Sequence, residues 1–89
     1  MNDTTMLEML KIDLGISTTA YDVRLTQYLA SAKDYIKREG ITLAEEKVSD
    51  MNLVVMYASW LWSKRDTTEA MPRMLRWNLN NRLFAEKVQ

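Results

Sequence analysis

Any chemistry in this 89-residue chain must come from twelve acidic and twelve basic side chains, because histidine and cysteine are both absent. Losing histidine removes the usual proton carrier near neutral pH and the commonest metal ligand. Losing cysteine excludes disulfides and thiolate metal sites. One pair of adjacent carboxylates stands at Glu45-Glu46. On a helix such neighbours point about 100° apart, so they do not converge on one substrate atom, and a solvated helix start explains them better. Asp13, Asp22, Asp34 and Asp50 are too scattered for a calcium loop. There is no glycine-rich phosphate loop and no nucleophile motif. The residue types predict no catalytic site, no metal site and no cofactor, and so no enzyme.

The richest polar cluster is Arg73, Arg76 and Arg82 with Asn78, Asn80, Asn81 and Trp77. Arginine and asparagine read guanine and adenine edges, so a helix-turn-helix-like DNA-binding regulator is one reading. Against it, the formal net charge is zero, and Asp66 and Glu69 put negative charge just before the cluster. Nucleic-acid-binding domains are usually strongly basic. Salt bridges to an acidic face of a neighbouring subunit are the plainer use of these arginines.

Four helical segments must position these residues. Thr5 to Glu8 fits a capping box, and Leu7, Leu10 and Leu14 follow at helical spacing, which predicts a short helix over 5–14 closed by Gly15. Leu25, Leu29, Ala32 and Ile36 form the stripe of a second helix over 19–38, with Gly40 just past its end. Tyr21, Tyr28 and Tyr35 run beside that stripe at intervals of seven, the pattern of a core edge with phenol tips in water. The third helix is predicted over 43–65. Its start lies either at a capping box from Thr42 to Glu45 or later, near Ser49-Asp50, and Ala44, Val48, Met51, Val55, Ala58 and Trp62 step along it. Pro72 suits the first position of a fourth helix over 72–87, with Met71, Leu75, Leu79 and Leu83 on its apolar face. No segment alternates with a period of two. The expectation is a single all-α domain over 1–89, a small bundle of four helices with the first one short.

Two features exceed what such a bundle needs. From residue 51 to 62 only Asn52 and Ser59 are polar apart from the tyrosine hydroxyl, and a helix that is apolar all round must be surrounded. Neighbouring helices cover part of it, but Tyr57, Trp60, Leu61, Trp62, Trp77 and Phe84 together are hard for one small chain to hide. The stretch is also shorter than the ~20 residues that span a bilayer, and the N-terminal MNDTTMLEMLKIDLG lacks the layout of a signal peptide. A soluble chain, or part of an assembly, is expected. The charges are divided as well. Residues 1–50 hold nine acids and six bases, net −3, and residues 60–89 hold three acids and six bases, net +3. Such halves can complement one another between copies.

Three stretches together resemble the small head-tail connector (adaptor) proteins of long-tailed bacteriophages. They are MLEMLKIDLGIS with YDVRLTQYLASAKDYIKREG, then NLVVMYASWLWSKRD, then MPRMLRWNLNNRLF. The likeness runs from the leucine-rich opening helix, through an apolar third helix closing with Trp62 and Arg65, to a proline-headed last helix. The resemblance implies an all-α structural protein of a phage or prophage. It would form a homo-oligomeric ring of about a dozen copies under the portal, meeting the portal protein on one side and a tail or head-closure protein on the other. It would be found in the virion at the head-tail junction, and in the host cytoplasm before assembly. No membrane and no small-molecule substrate are implied, and any contact with genome DNA passing through the ring would not read sequence. The residues expected at partner or oligomer interfaces are Tyr57, Trp60, Trp62, Arg65, Arg73, Arg76, Trp77 and Phe84.

Overall fold

The computed structural model describes residues 3–44, 46–65 and 67–88. Among them are four α-helices and no strand: α1 Asp3–Leu14, α2 Asp22–Arg38, α3 Val48–Ser63 and α4 Arg73–Lys87. The bundle is a slab of 42 × 30 × 18 Å. A helix with its side chains is ~10–12 Å across, so the slab is about two helices thick. Only one helix can lie inside such a slab, and it is α3, which touches all three others.

Its sequence explains that position. Leu53, Val54 and Val55 are consecutive and all buried, as are Tyr57, Ala58 and Leu61. At 100° per residue these positions cover about 200° of the helix circumference. The other helices are one-sided. The predicted stripe Leu25, Leu29, Ala32 and Ile36 of α2 is wholly buried against α3. Met6 and Leu10 of α1 are fully buried, with Leu7 and Leu14 packed at the core margin. Leu75 and Leu79 hold α4, flanked by the half-buried Met71 and Leu83. Each such aliphatic side chain contributes roughly 1.5–3 kcal/mol on burial.

The turns follow from two glycines. Gly15 has φ 71°, and the Ile16 amide donates to the Lys11 carbonyl at 2.9 Å while the Gly15 amide donates to Ile12 at 3.2 Å. This is a Schellman motif, which returns the chain toward α2. Gly40 has φ 100°, and a β-carbon there would meet the Leu83 side chain at 3.4 Å, so the end of α2 lies close against α4. Beyond it Ile41 turns into the core.

Boundaries differ from expectation at several ends. α1 begins at Asp3, which places Thr5 inside the first turn instead of at the cap. α2 begins at Asp22, because Thr18 and Thr19 first accept the amides of Ala20 and Asp22 in turns. The earlier of the two starts for α3 is not used. The Ala44 amide goes to the Asp50 carboxylate and the Thr42 carbonyl to Arg82, so residues 42–44 are non-helical. Glu45, and with it the Thr42 capping box and the Glu45-Glu46 pair, lies outside the described residues, as does Asp66. Pro72 stands one residue before α4, with ψ 143°.

Leu29→Ala is expected to lower unfolding free energy by about 2–5 kcal/mol. Gly40→Ala should cost about 1–2 kcal/mol from left-handed strain. Val23→Thr, on an exposed position, should stay within about 0.5 kcal/mol of the parent. Urea titration followed by circular dichroism measures all three.

Candidate functional site

No group of metal-ligating side chains occurs among the described residues, and no described helix is long and apolar enough to cross a membrane. What the chain offers instead is surface, organised by three side-chain arrangements.

The first is an aromatic band on α2 and α3. Trp62 is held edge-on by Tyr21 and Tyr28, with ring centroids 5.6 and 5.7 Å away. Tyr35 stacks on Tyr57 at 5.8 Å, and Tyr57 meets Trp60 edge-on at 5.6 Å. Edge-to-face pairs in this range gain ~0.5–1.5 kcal/mol beyond area burial. Cations from the end of α3 cover the indoles: the Lys64 ammonium lies 4.4 Å over Trp60 and the Arg65 guanidinium 4.1 Å over Trp62. Both tryptophans are thereby half-buried within their own chain.

The second is an ion-pair network that attaches α4. Asp50 is 1 % exposed. Its Oδ1 accepts Arg82 Nε at 2.8 Å, and its Oδ2 accepts Arg82 Nη2 at 3.2 Å and the Ala44 amide at 2.8 Å. Arg82 Nη2 also donates to the Thr42 carbonyl at 2.6 Å, and Nη1 to Glu86 at 2.8 Å. Burial alone would raise the Asp50 carboxyl. The Arg82 hydrogen bonds, the Ala44 amide and the charges of Arg82 and Lys47 outweigh it and hold the group below its ordinary value. The Thr42 hydroxyl and Arg82 likewise hold Glu86 low. The same bonds, from Asp50 and then Glu86, push Arg82 further above the usual arginine range. A second clamp joins α4 to α2, where Arg76 Nη2 reaches both Glu39 carboxylate oxygens at 2.9 and 2.7 Å.

The third follows from the second. With Arg82, Leu75 and Leu79 turned inward, the opposite side of α4 carries Met74, Trp77, Asn81, Phe84 and Val88. These positions step by three and four, which is one helical stripe. Four are apolar and remain 63, 62, 68 and 64 % exposed, in chain order with Asn81 omitted. An exposed apolar stripe of this kind is what contact with a partner would cover.

The residues expected at interfaces therefore separate into three groups. Tyr57, Trp60, Trp62 and Arg65 belong to the aromatic band, with Tyr57 buried and Arg65 also donating to the Trp62 carbonyl at 2.6 Å. Trp77 and Phe84 lie on the open stripe of α4, and Arg73 flanks it, exposed. Arg76 sits in the Glu39 clamp. Sequence reading missed Asp50 and Arg82 as a pair, and Met74 and Val88 as members of the stripe. Stepping three residues back from Trp77 and four on from Phe84, along the same helical face, would have found the last two.

Residues 4–70 match the family described as phage gp6-like head-tail connector protein. Neither a curated protein nor a solved structure matches the chain.

Removing the Asp50 carboxylate takes away both of its bonds to Arg82 and its bond to the Ala44 amide, and leaves Arg82 only the more exposed Glu86 carboxylate. Asp50→Ala is expected to cost about 3–5 kcal/mol, and Asp50→Leu with Arg82→Leu should recover much of the loss. A carboxyl depressed in the folded state adds stability above its unfolded value, and that stability is lost as pH falls through the folded value. Asp3, Asp50 and Glu86 are all depressed, so stability should hold down to about pH 5 and fall below the ordinary carboxyl range of about 4. Melting curves from pH 7 to pH 2 test this, and the double leucine variant should show a shallower acid limb.

Proposed function

Since the chain belongs to the phage gp6-like head-tail connector family, and is thus a structural phage protein of the head-tail junction, we propose that it acts as one subunit of a ring seated beneath the portal. On this reading it joins capsid to tail by assembly and docking alone, without catalysis. The observation that carries the reading is the open stripe on α4, where Trp77 and Phe84 stay about two-thirds exposed, more than any other aromatic of the chain. A ring subunit needs this economy. Each copy must fold with part of its apolar surface reserved for the next copy or for the portal, and two different patches per subunit close a ring when their rotation divides a circle.

The roles within the proposed assembly follow the geometry. Trp77 and Phe84 supply the area that partner contact buries, as aromatic anchors commonly do. Arg73 lies at the edge of that area and steers approach more than it adds affinity. Tyr57, Trp60, Trp62 and Arg65 form the rigid wall behind, with the outer ring edges available to a partner. Arg76 works through its Glu39 clamp to fix the angle of α4. Two of the three arginines invoked for a DNA-reading helix are committed elsewhere: Arg76 and Arg82 both point to carboxylates of their own chain.

Size exclusion with light scattering, with and without the portal protein of the same phage, tests the proposal, and negative-stain electron microscopy of the mixture shows whether rings form. Trp77→Ser should leave melting within about 0.5 kcal/mol of the parent, as for an exposed position, and should weaken assembly at least about tenfold. A chain that stays monomeric and never binds portal at high concentration would overturn the ring.

A further inference from the structure

We propose that the Met74–Trp77–Phe84 stripe seats on the corner formed by the end of α1 and the start of α2 in a second copy of this chain. The proposal rests on the ring reading above and names its seam.

Apart from the single Val48 at the start of α3 and the partly exposed Tyr35, that corner is the other place where large apolar side chains stand in water. Ile12 and Val23 are each 78 % exposed and Tyr21 is 48 % exposed. The Schellman turn at Gly15 and the Lys11–Asp22 ion pair at 2.9 Å bring the two helix ends together. A fully exposed aromatic offers roughly 150–250 Å². Two aromatics at two-thirds exposure, with Met74 and Val88, make a patch of a few hundred Å², short of the ~800 Å² per partner of a stable interface. The stripe therefore needs a seat that brings both apolar surface and charge.

Charge selects the corner over a second α4. Arg73 and Lys87 stand exposed along one flank of the stripe, near its two ends. Two stripes laid face to face in antiparallel fashion would set Arg73 against Lys87, and like charges in register are unfavourable. At the corner, Glu8 lies one turn before Ile12 on the same outer face of α1, and Asp13 follows it, both exposed. The nearby cations are engaged within the chain. Lys11 pairs with Asp22, and Arg24 donates to Gln27 and lies over the Tyr28 ring. The stripe thus carries uncommitted positive charge and the corner uncommitted negative charge. The contact joins two different surfaces, so it propagates from copy to copy instead of stopping at a dimer.

The chain has no cysteine, so introduced thiols report without background. Trp77→Cys with Val23→Cys, and Phe84→Cys with Ile12→Cys, are treated with a short bismaleimide under conditions where light scattering shows assembly, with or without portal. The expected result is a ladder of covalent multimers for a double variant and none for any single variant. A single α4 variant that yields dimers, or an assembly that yields no ladder, overturns the seam while leaving the ring reading intact. Absence of any assembly by the unmodified chain overturns both. Charge exchange provides the second measurement. Arg73→Glu with Lys87→Glu should raise the concentration needed for assembly at least about tenfold, or ~1.4 kcal/mol. Adding Glu8→Lys and Asp13→Lys in the same chain should restore it, and failure to restore it overturns the pairing.

Discussion

Asp50 remains charged at 1 % exposure chiefly because Arg82 crosses from another helix to meet it, and the placement of α4 depends on that meeting. Few apolar side chains hold α4 to the bundle, chiefly Leu75 and Leu79. Apolar contacts of this kind allow a helix to roll, since they are non-directional. A bidentate guanidinium–carboxylate pair with two further acceptors on the same arginine does not. Once Arg82 faces inward, helical periodicity leaves Trp77 and Phe84 about 140–160° away around the axis. The open stripe is a geometric consequence of where the arginine points.

The thinness of the slab adds the second constraint. At 18 Å, the bundle has one interior helix and three that each keep a wet face. α1 and α2 fill theirs mainly with polar residues, whereas α4 sets Met74, Trp77 and Phe84 among its polar ones. The tyrosines of α2 show how the chain covers aromatics when it needs to: Tyr21 and Tyr28 box Trp62, and Tyr35 shields Tyr57. Nothing among the described residues performs that service for Trp77 or Phe84, though they are the same kind of side chain.

The parts legible from sequence were those decided locally. The α2 stripe shows in its spacing because a one-sided helix must repeat near 3.6, and all four of its predicted members are buried. The apolar run of residues 51–62 announced a surrounded helix, and α3 is one. The tyrosines at intervals of seven were read as a core edge, but spacing within one helix does not reveal that they face the tryptophans of another. The start of α3 stayed ambiguous because the deciding bonds, from Ala44 to Asp50 and from Arg82 to Thr42, span up to forty residues. Arg82 looks no different in sequence from Arg73 or Arg76, and only the fold separates a buried pair from an exposed clamp and an open flank.

The division of charge along the chain acquires a sharper meaning once the pairs are known. Arg76–Glu39 and Arg82–Asp50 each join a base of the positive C-terminal stretch to an acid of the negative N-terminal stretch. The opposite halves are therefore first used inside the molecule, to bring the last helix onto the first three. Each such pair takes one acid from the negative side and one base from the positive side, so the two pairs reduce the halves from −3 and +3 to −1 and +1, and groups such as Glu8 and Asp13 on one side and Arg73 and Lys87 on the other stay exposed. Exposed charges of this kind add little to the stability of a monomer. They do bias the encounter of two surfaces, and they penalise the wrong pairing of like with like. On the proposed seam, a chain that uses one set of opposite charges to fold and leaves another set exposed separates the task of holding its shape from the task of finding its neighbour.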